Sequence, residues 1–162
     1  MLVLPSGMTS KISEIDLFDE SLQEAFPPMS VTVRLEDDVD VSRGDMICRP
    51  QNAPTPSQDI DAMVCWMSPT PLQPRQKLAI KHTTRMARAM VKDVQYRLDV
   101  NSLHRDLETK QLALNEIGRV QLRTTIPLLC DPYEKNRTTG SFILIDEATG
   151  VTVGAGMINS AS

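Results

Sequence analysis

The chain has 162 residues, enough for one ordinary domain or two small ones, and its 41% hydrophobic and 23% charged residues allow a packed core. The net charge of −4 argues against a general nucleic-acid binder, which needs an excess of lysine and arginine to neutralise phosphates. No apolar run is long enough to span a bilayer and no secretion signal is visible, so we expect a cytoplasmic protein with no membrane partner.

The first third of the chain is expected to consist of short strands and turns. A short apolar strand that ends in a Pro-Ser-Gly turn is predicted within residues 1–7, and alternation of apolar and polar residues predicts strands within 8–19 and 30–38. A crossing loop containing Pro27 and Pro28 separates the second of these from the third. Gly44 marks a turn before a last short strand, and three prolines in residues 49–58 predict a linker.

The remainder of the chain carries six predicted strands. They are expected at about 59–67, 77–82, 86–99, 119–130, 141–146 and 151–158. A strand over 86–99 would place five side chains on one face: Met90, Lys92, Val94, Tyr96 and Leu98. A helix stays open for its first half, because alanine, methionine and arginine favour helices, and a helical turn is expected near Leu103–Leu107. Several short strands with almost no helix predict antiparallel barrels or sandwiches.

The last hairpin contains the segment "VGAGMI", whose two glycines raise the question of a phosphate site. A dinucleotide fingerprint needs a third glycine and a following helix, and neither is present. Gly154 and Gly156 are two residues apart, so they lie on one face of a strand and allow another chain segment to approach closely. We therefore interpret them as packing residues, together with Gly44 and Gly118 as further structural glycines.

The sequence contains no recognisable catalytic or cofactor-binding set. It has no phosphate-binding loop of the G-x-x-x-x-G-K-[ST] type. His82 and His104 are isolated, and we interpret His82 as a polar residue on the outward face of its strand. Cys130 beside Asp131 could suggest a nucleophile, but the sequence assigns no base to it. We therefore expect no catalytic, cofactor-binding or metal-binding residue in this chain.

The cysteines and the acidic run also favour structural interpretations. Cys48, Cys65 and Cys130 are widely spaced, which predicts buried free thiols in a reducing compartment. The acidic segment 36–40 lacks the spacing and the glycine of a calcium loop, so a solvated turn is expected there.

One basic set stands out in the third of the six predicted strands and the turn before it. Its members form either a solvated barrel face or a surface for a partner: Arg85, Arg88, Lys92 and Arg97.

Several stretches together resemble one protein family over about residues 2–158. "GSFILIDEATGVTVGAGMI" resembles the final hairpin of translation-factor-type GTPases, and "EAFPPMSVTVRLEDDVDVSRGDMI" resembles the close of their second domain. More specifically, "DVDVSRGDMI", "LNEIGRV" and "DPYEKNRTTGSFILID" resemble the GTP-binding large subunit of bacterial sulfate adenylyltransferase (ATP sulfurylase), which also occurs fused to adenylylsulfate kinase. The resemblance of the final hairpin is shared by the whole superfamily, whereas that of "DPYEKNRTTGSFILID" is far more specific.

The resemblance implies an all-β chain of elongation-factor-like, antiparallel Greek-key β-barrels. It implies the C-terminal part of a second-domain barrel in 1–48, a linker in 49–58, a complete six-stranded third-domain barrel in 59–158 and a tail in 159–162. It also implies that the GTPase domain, with its GTP and Mg²⁺ contacts, lies outside this chain. The implied partners are that GTPase domain, the small catalytic subunit that uses ATP, and, in the fused form, the kinase domain.

Three functions compete at this point. The first is a scaffold and interaction module of the sulfate-activating GTPase subunit, which in the whole assembly supports formation of adenylylsulfate from ATP and sulfate. The second is the corresponding part of an elongation factor that binds aminoacyl-tRNA. The acidic balance and the stretches "LNEIG" and "DPYEKNR" weigh against the second. The third is a free-standing small-molecule-binding or enzymatic barrel, and no set of residues in the sequence supports it.

Overall fold

The computed structural model of the protein describes residues 1–161. Within that range the chain forms twelve β-strands and one 3₁₀-helix, Pro50–Asn52, without any α-helix. The strands form two compact units, residues 1–53 and the part that begins at Pro54. The predicted all-β class is therefore confirmed. Nor do residues 1–161 contain a helix with the length and hydropathy needed to cross a bilayer.

The first unit consists of two small antiparallel sheets. Its strands are β1 (Leu2–Leu4), β2 (Ile12–Leu17), β3 (Glu20–Ser21), β4 (Thr32–Leu35) and β5 (Met46–Cys48). One sheet pairs β1 with β5, and the other has the order β3-β2-β4. Gly44 adopts φ +98° in the turn before β5, where the Ser42 amide donates to the Asp45 carboxylate at 2.9 Å. A positive φ favours glycine at this position, as the predicted turn requires.

The second unit is a closed antiparallel barrel. Its strands are β6 (Thr55–Trp66), β7 (Lys77–His82), β8 (Arg85–Leu98), β9 (Arg105–Asp106), β10 (Ile117–Cys130), β11 (Ser141–Ile145) and β12 (Thr152–Ala161). The order around the barrel is β6-β12-β11-β7-β8-β10, and β10 pairs with β6 to close it. Strand β11 returns to lie beside β7, so β11-β7-β8-β10 is a Greek key. The predicted closed six-stranded barrel is confirmed.

Alternation along the strands builds the barrel core. On β6 every second residue is buried from Ile60 to Trp66, and on β7 the same holds for Leu78 and Ile80. The Trp66 indole is 1% exposed, and its Nε1–H donates to the Thr70 carbonyl at 2.7 Å. The one polar atom of the largest core side chain is thus satisfied.

Three strands are longer than the sequence predicts, and β10 begins at Ile117 rather than at 119. β6 begins at Thr55 rather than at 59, because Thr55 and Pro56 pair with the end of β10. β12 continues to Ala161 rather than ending at 158, since Ser160 and Ala161 still pair with β6. Strand length is set here by the partner strand, which a local pattern does not contain.

The prediction that alternate side chains from Met90 to Leu98 share one face of β8 is wrong. Register shifts against β10 leave single residues of β8 without an opposite partner. As a result Val91 and Val94, three residues apart, are both buried in the core, whereas Met90 and Lys92 are exposed. The helix that was open for the first half of this segment is excluded, because β8 pairs with β7 and β10 along its length.

The helical turn predicted near Leu103–Leu107 is also wrong. The Asp99 carboxylate accepts hydrogen bonds from the amides of Asn101 and Ser102, which forms a turn. Strand β9 then pairs with the end of β8, where Asp106 lies opposite Arg97. Capping and ion pairing therefore override the weak helical spacing.

Candidate interaction surface

Two of the four basic candidates on β8 are paired with carboxylates at the barrel surface. Arg88 Nε donates to Glu147 at 2.8 Å, and Lys92 Nζ lies 3.4 Å from Asp59. Asp59 also pairs with Arg123 of β10. Burial alone would raise the pKa of Asp59, but Lys92 and Arg123 hold that pKa below its ordinary value. Arg88 and Lys92 therefore form ion pairs with carboxylates of the same barrel.

Arg97 is the best-paired member of the set. Its guanidinium donates to Glu116 at 2.7 Å and to Asp106 at 2.9 Å. The hydrogen bond and charge of Glu116 raise the pKa of Arg97 above its usual range. Hydrogen bonds from Thr109 lower the pKa of Asp106 to about 2. Arg97 thus holds the segment between β8 and β10 against the barrel by its ion pairs with Asp106 and Glu116.

Arg85 differs from the other three candidates. Its Nη1 atom is buried and has no hydrogen-bond partner among the described residues. It lies opposite His82 across the β7–β8 hairpin, and its charge acts on that imidazole. Of the four predicted partner-facing residues, Arg85 alone has a buried side-chain donor without a partner among the described residues.

His82 is buried, so its predicted outward position is wrong. It follows Leu78 and Ile80 at two-residue spacing on β7 and is 1% exposed. Its Nε2 lies 2.7 Å from the Thr139 carbonyl, an acceptor, so Nε2 carries the proton. Burial and the Arg85 charge lower the pKa of His82, although the Thr139 hydrogen bond opposes them. His82 is a neutral core residue.

The segment 131–140 is held at the barrel end by the hydrogen bond between His82 and the Thr139 carbonyl and by the hydrogen bonds of Asp131. The Asp131 carboxylate accepts from Thr139 Oγ1 at 2.8 Å and from Lys135 Nζ at 2.7 Å. Burial raises the pKa of Asp131, but these two donors outweigh burial and hold it below its ordinary value. The Tyr133 amide donates to Ile158 of β12 at 2.8 Å. The family-like stretch "DPYEKNRTTG" is therefore an ordered loop.

The glycines of the last hairpin lie against aromatic rings. A Cβ at Gly156 would overlap the Phe142 ring, with 2.6 Å to Cε2, and one at Gly154 would lie 3.1 Å from Trp66 Cε3. Both glycines are buried. The geometry agrees with a packing role and leaves no cradle for a phosphate, because the space in front of each glycine is filled by a side chain.

Two other glycines make close approaches. A Cβ at Gly118, one of the predicted structural glycines, would lie 2.6 Å from Leu112 Cδ2. At Gly140, which sequence reasoning missed, it would lie 2.6 Å from the Tyr133 amide nitrogen. Its position directly before a predicted strand was the available signal.

Cys130 is not an activated thiol. Burial, together with the Asp131 charge, raises the pKa of Cys130 to about 11, so this thiol stays protonated and unreactive at neutral pH. Cys48 and Cys65 are half-buried rather than buried as predicted. Cys65 lies between buried Val64 and Trp66 on β6, so its side chain faces away from the barrel core. Across residues 1–161, no three histidine, cysteine or acidic side chains cluster to hold a metal.

An open groove of about 800 Å³ lies on the outer face of the barrel beside the loop 131–140. Its floor comes from outward residues of β6, β11 and β12, including Cys65, Ile143 and Ala155. Lys81 of β7 and Arg137 of the loop line its sides. This groove was not predicted, because it joins residues far apart in the chain.

Comparisons with known proteins agree with the resemblance drawn from the sequence. Residues 59–159 match the family model described as GTP-eEF1A C-terminal domain-like. The chain is 54% identical over 159 residues to the "Bifunctional enzyme CysN/CysC" of Mycobacterium tuberculosis, covering 98% of this chain and 26% of that protein. It is 43% identical over 166 residues to the "Sulfate adenylyltransferase subunit 1" of Bacteroides thetaiotaomicron, covering 98% and 34%. The chain thus spans about a quarter to a third of these relatives, and the resemblance is confirmed.

Solved structures agree with the fold. The crystal structure of sup35 complexed with GDP matches with a TM-score of 0.87 at 19% identity, covering 99% of this chain and 40% of that one. The form complexed with GMPPNP matches with a TM-score of 0.86 at 21% identity. At such identities the likeness shows the fold alone.

Proposed function

The chain belongs to the GTP-eEF1A C-terminal domain-like family, and from this premise we propose that it is the barrel portion of a sulfate adenylyltransferase GTPase subunit. Its role there is to provide scaffold and contacts, while GTP hydrolysis and adenylylsulfate formation belong to other parts of the assembly. The observation that carries the proposal is the 54% identity across 98% of the chain.

The elongation-factor alternative is less well supported. The relatives named for sulfate adenylyltransferase match from end to end of this chain, whereas the sup35 structures share only 19–21% identity. The net charge of −4 also disfavours a surface for tRNA. In our proposal the partners are the GTPase domain, the small catalytic subunit in the cytoplasm and, in fused forms, an adenylylsulfate kinase domain.

A binding experiment separates the two functions. The chain, immobilised through an affinity tag, is offered the purified small adenylyltransferase subunit and, separately, aminoacyl-tRNA. We expect retention of the small subunit and no retention of tRNA. The matched control is the corresponding barrel fragment of an elongation factor, which should not retain the small subunit. Retention of tRNA alone would replace our proposal with the alternative.

We also expect the chain alone to be inactive. Phosphoryl and nucleotidyl transfer require positioned phosphate-binding donors, and the sequence has no phosphate-binding loop to supply them. Purified chain should neither hydrolyse GTP nor form adenylylsulfate above a mock preparation. Turnover that copurifies with the chain and is lost on its unfolding would contradict the scaffold role.

A further inference from the structure

The groove beside the loop 131–140 carries two positive charges and no negative one. It is lined by Lys81 and Arg137 and by no carboxylate, although the chain as a whole is acidic. Neither cation is in an ion pair among the described residues, and the Arg137 guanidinium lies 6.0 Å from the centroid of the Tyr133 ring.

The floor of the groove is apolar and faces outward. Ile143 lies between buried Phe142 and Leu144, and Ala155 lies between two buried glycines, so both side chains point away from the core. Met157 and Cys65 extend this floor with polarisable side chains that adapt to irregular shapes. An apolar floor with cations at the sides fits a ligand that has an apolar anchor and negative charges beside it.

The closed barrel restricts how a partner can bind here. All four strands around the groove, β6, β12, β11 and β7, are paired on both edges. Most of each strand edge is therefore occupied, and we expect recognition to use side chains rather than an added strand. An amphipathic segment laid across the face meets this condition, because it presents an apolar stripe with charges on either side.

A nucleic acid fits these features poorly. Binding of single strands relies on aromatic rings that stack with bases along a basic track. Of the two aromatic residues that line the groove, Phe142 is buried in the core and Tyr133 has Arg137 beside its ring. With Lys81 and Arg137 as its only cations, the groove has no extended basic track for a phosphate backbone.

We propose that this groove binds an acidic, amphipathic segment of a partner protein. The segment places an apolar side chain over Ile143 and Ala155 and carboxylates beside Lys81 and Arg137. This inference rests on the barrel alone and holds whether or not the chain takes part in sulfate activation.

Two 14-residue peptides test the proposal. Both carry leucine at helical spacing, one with glutamate and the other with lysine at the remaining positions. Fluorescence anisotropy with the full chain should show saturable binding of the acidic peptide, weakened by salt, and no binding of the basic one. Lys81→Glu/Arg137→Glu should weaken binding at least about tenfold, since it turns two attractions into repulsions.

The matched control is Lys77→Glu/Lys110→Glu. Both lysines are exposed and outside the groove, and the double variant makes the same change in net charge. It should bind the acidic peptide within about twofold of the unaltered chain, as expected for distant charges screened by salt. Trp66 fluorescence confirms that both double variants are folded.

Cys65 provides a second readout. Bound acidic peptide should slow the alkylation of Cys65 by iodoacetamide at least threefold and leave that of Cys48, in the other unit, unchanged. Three results would each overturn the proposal: no binding of the acidic peptide, equal binding of both peptides, or equal loss in the two double variants. Loss of chain self-association in the groove variant, without an effect on peptide binding, would also overturn it in favour of a second copy.

Discussion

The two units of this chain contain similar local patterns but very different cores. In the first, Val3 and Leu4 are the only buried apolar side chains among the described residues, and the strands are two to six residues long. In the second, strands of up to 14 residues close into a barrel around one continuous core. Alternation makes a strand amphipathic in both units, but only closure encloses the apolar face from all sides.

The side chains left outside show the same contrast. Phe18 at the β2–β3 turn is 95% exposed and Phe26 is 64% exposed, so the aromatic residues of the first unit add little to its stability. The barrel buries Trp66 and Phe142 almost completely. Because burial of apolar surface is the main favourable term in folding, we expect the two units to differ in stability.

Hydrogen exchange should show the largest effect. Amides of the barrel strands should exchange by global unfolding, and those of the first unit by local opening. The expected difference is about 5 kcal/mol, more than a thousandfold in exchange rate. Mass spectrometry on the whole chain at several protein concentrations measures it. Uniform slow exchange in a monomeric sample would show that the first unit has stabilising contacts beyond its two small sheets.

Removing the largest core side chain tests whether stability resides in the barrel core. Trp66→Ala should lower the free energy of unfolding of the barrel by about 3–4 kcal/mol, through lost burial and the cavity that remains. Met67→Ala, at the next position but 42% exposed, is the matched control and should cost well under about 1 kcal/mol. Denaturation followed by circular dichroism measures both. Equal losses would mean that the indole does not carry core packing.

The glycine contacts predict a smaller loss. Gly156→Ala should destabilise the barrel by about 1–3 kcal/mol, because its methyl group overlaps the Phe142 ring. Thr152→Ala, exposed on the same strand, should have little effect. Combining Gly156→Ala with Phe142→Leu should cost less than the sum of the single changes, since the smaller side chain relieves the overlap. Strict additivity in urea denaturation would rule out this contact as the cause.

Much of the barrel could be predicted from local pattern. The bounds of β7 follow from alternation alone, and the β11–β12 hairpin follows from its turn, where Asp146 accepts from the Thr149 amide and Gly150 adopts φ +72°. The shifts in β8 could not be predicted, because they depend on its register with β10. The groove could not be predicted either, because Lys81 and Arg137 are far apart in the sequence and come together only in the folded barrel.

His82 illustrates a different failure. Its parity with Leu78 and Ile80 was visible in the sequence, and it correctly indicated the buried face. The interpretation gave more weight to the polarity of the imidazole than to its position. What makes burial affordable is the Thr139 carbonyl, which comes from a loop 57 residues further along the chain.

The buried imidazole makes the barrel, but not the first unit, sensitive to mild acid. Because the folded-state pKa of His82 lies below its ordinary 6.5, the unfolded chain binds a proton that the folded chain does not. Stability should therefore be full above pH 6.5 and fall below it, by at most about 1.4 kcal/mol per pH unit, until the folded pKa is reached. Asp131 and Asp146, whose pKa values are lowered by hydrogen bonds, lose their contribution to stability only at lower pH, below their ordinary pKa of 3.8.

Urea denaturation between pH 8 and pH 5, followed by the fluorescence of Trp66, measures the slope in the barrel alone. His82→Gln keeps an N–H donor for the Thr139 carbonyl without a titrating group, so it should flatten the slope, whereas His104→Gln, at an exposed position, should leave it unchanged. A slope that survives His82→Gln would assign the sensitivity to another group.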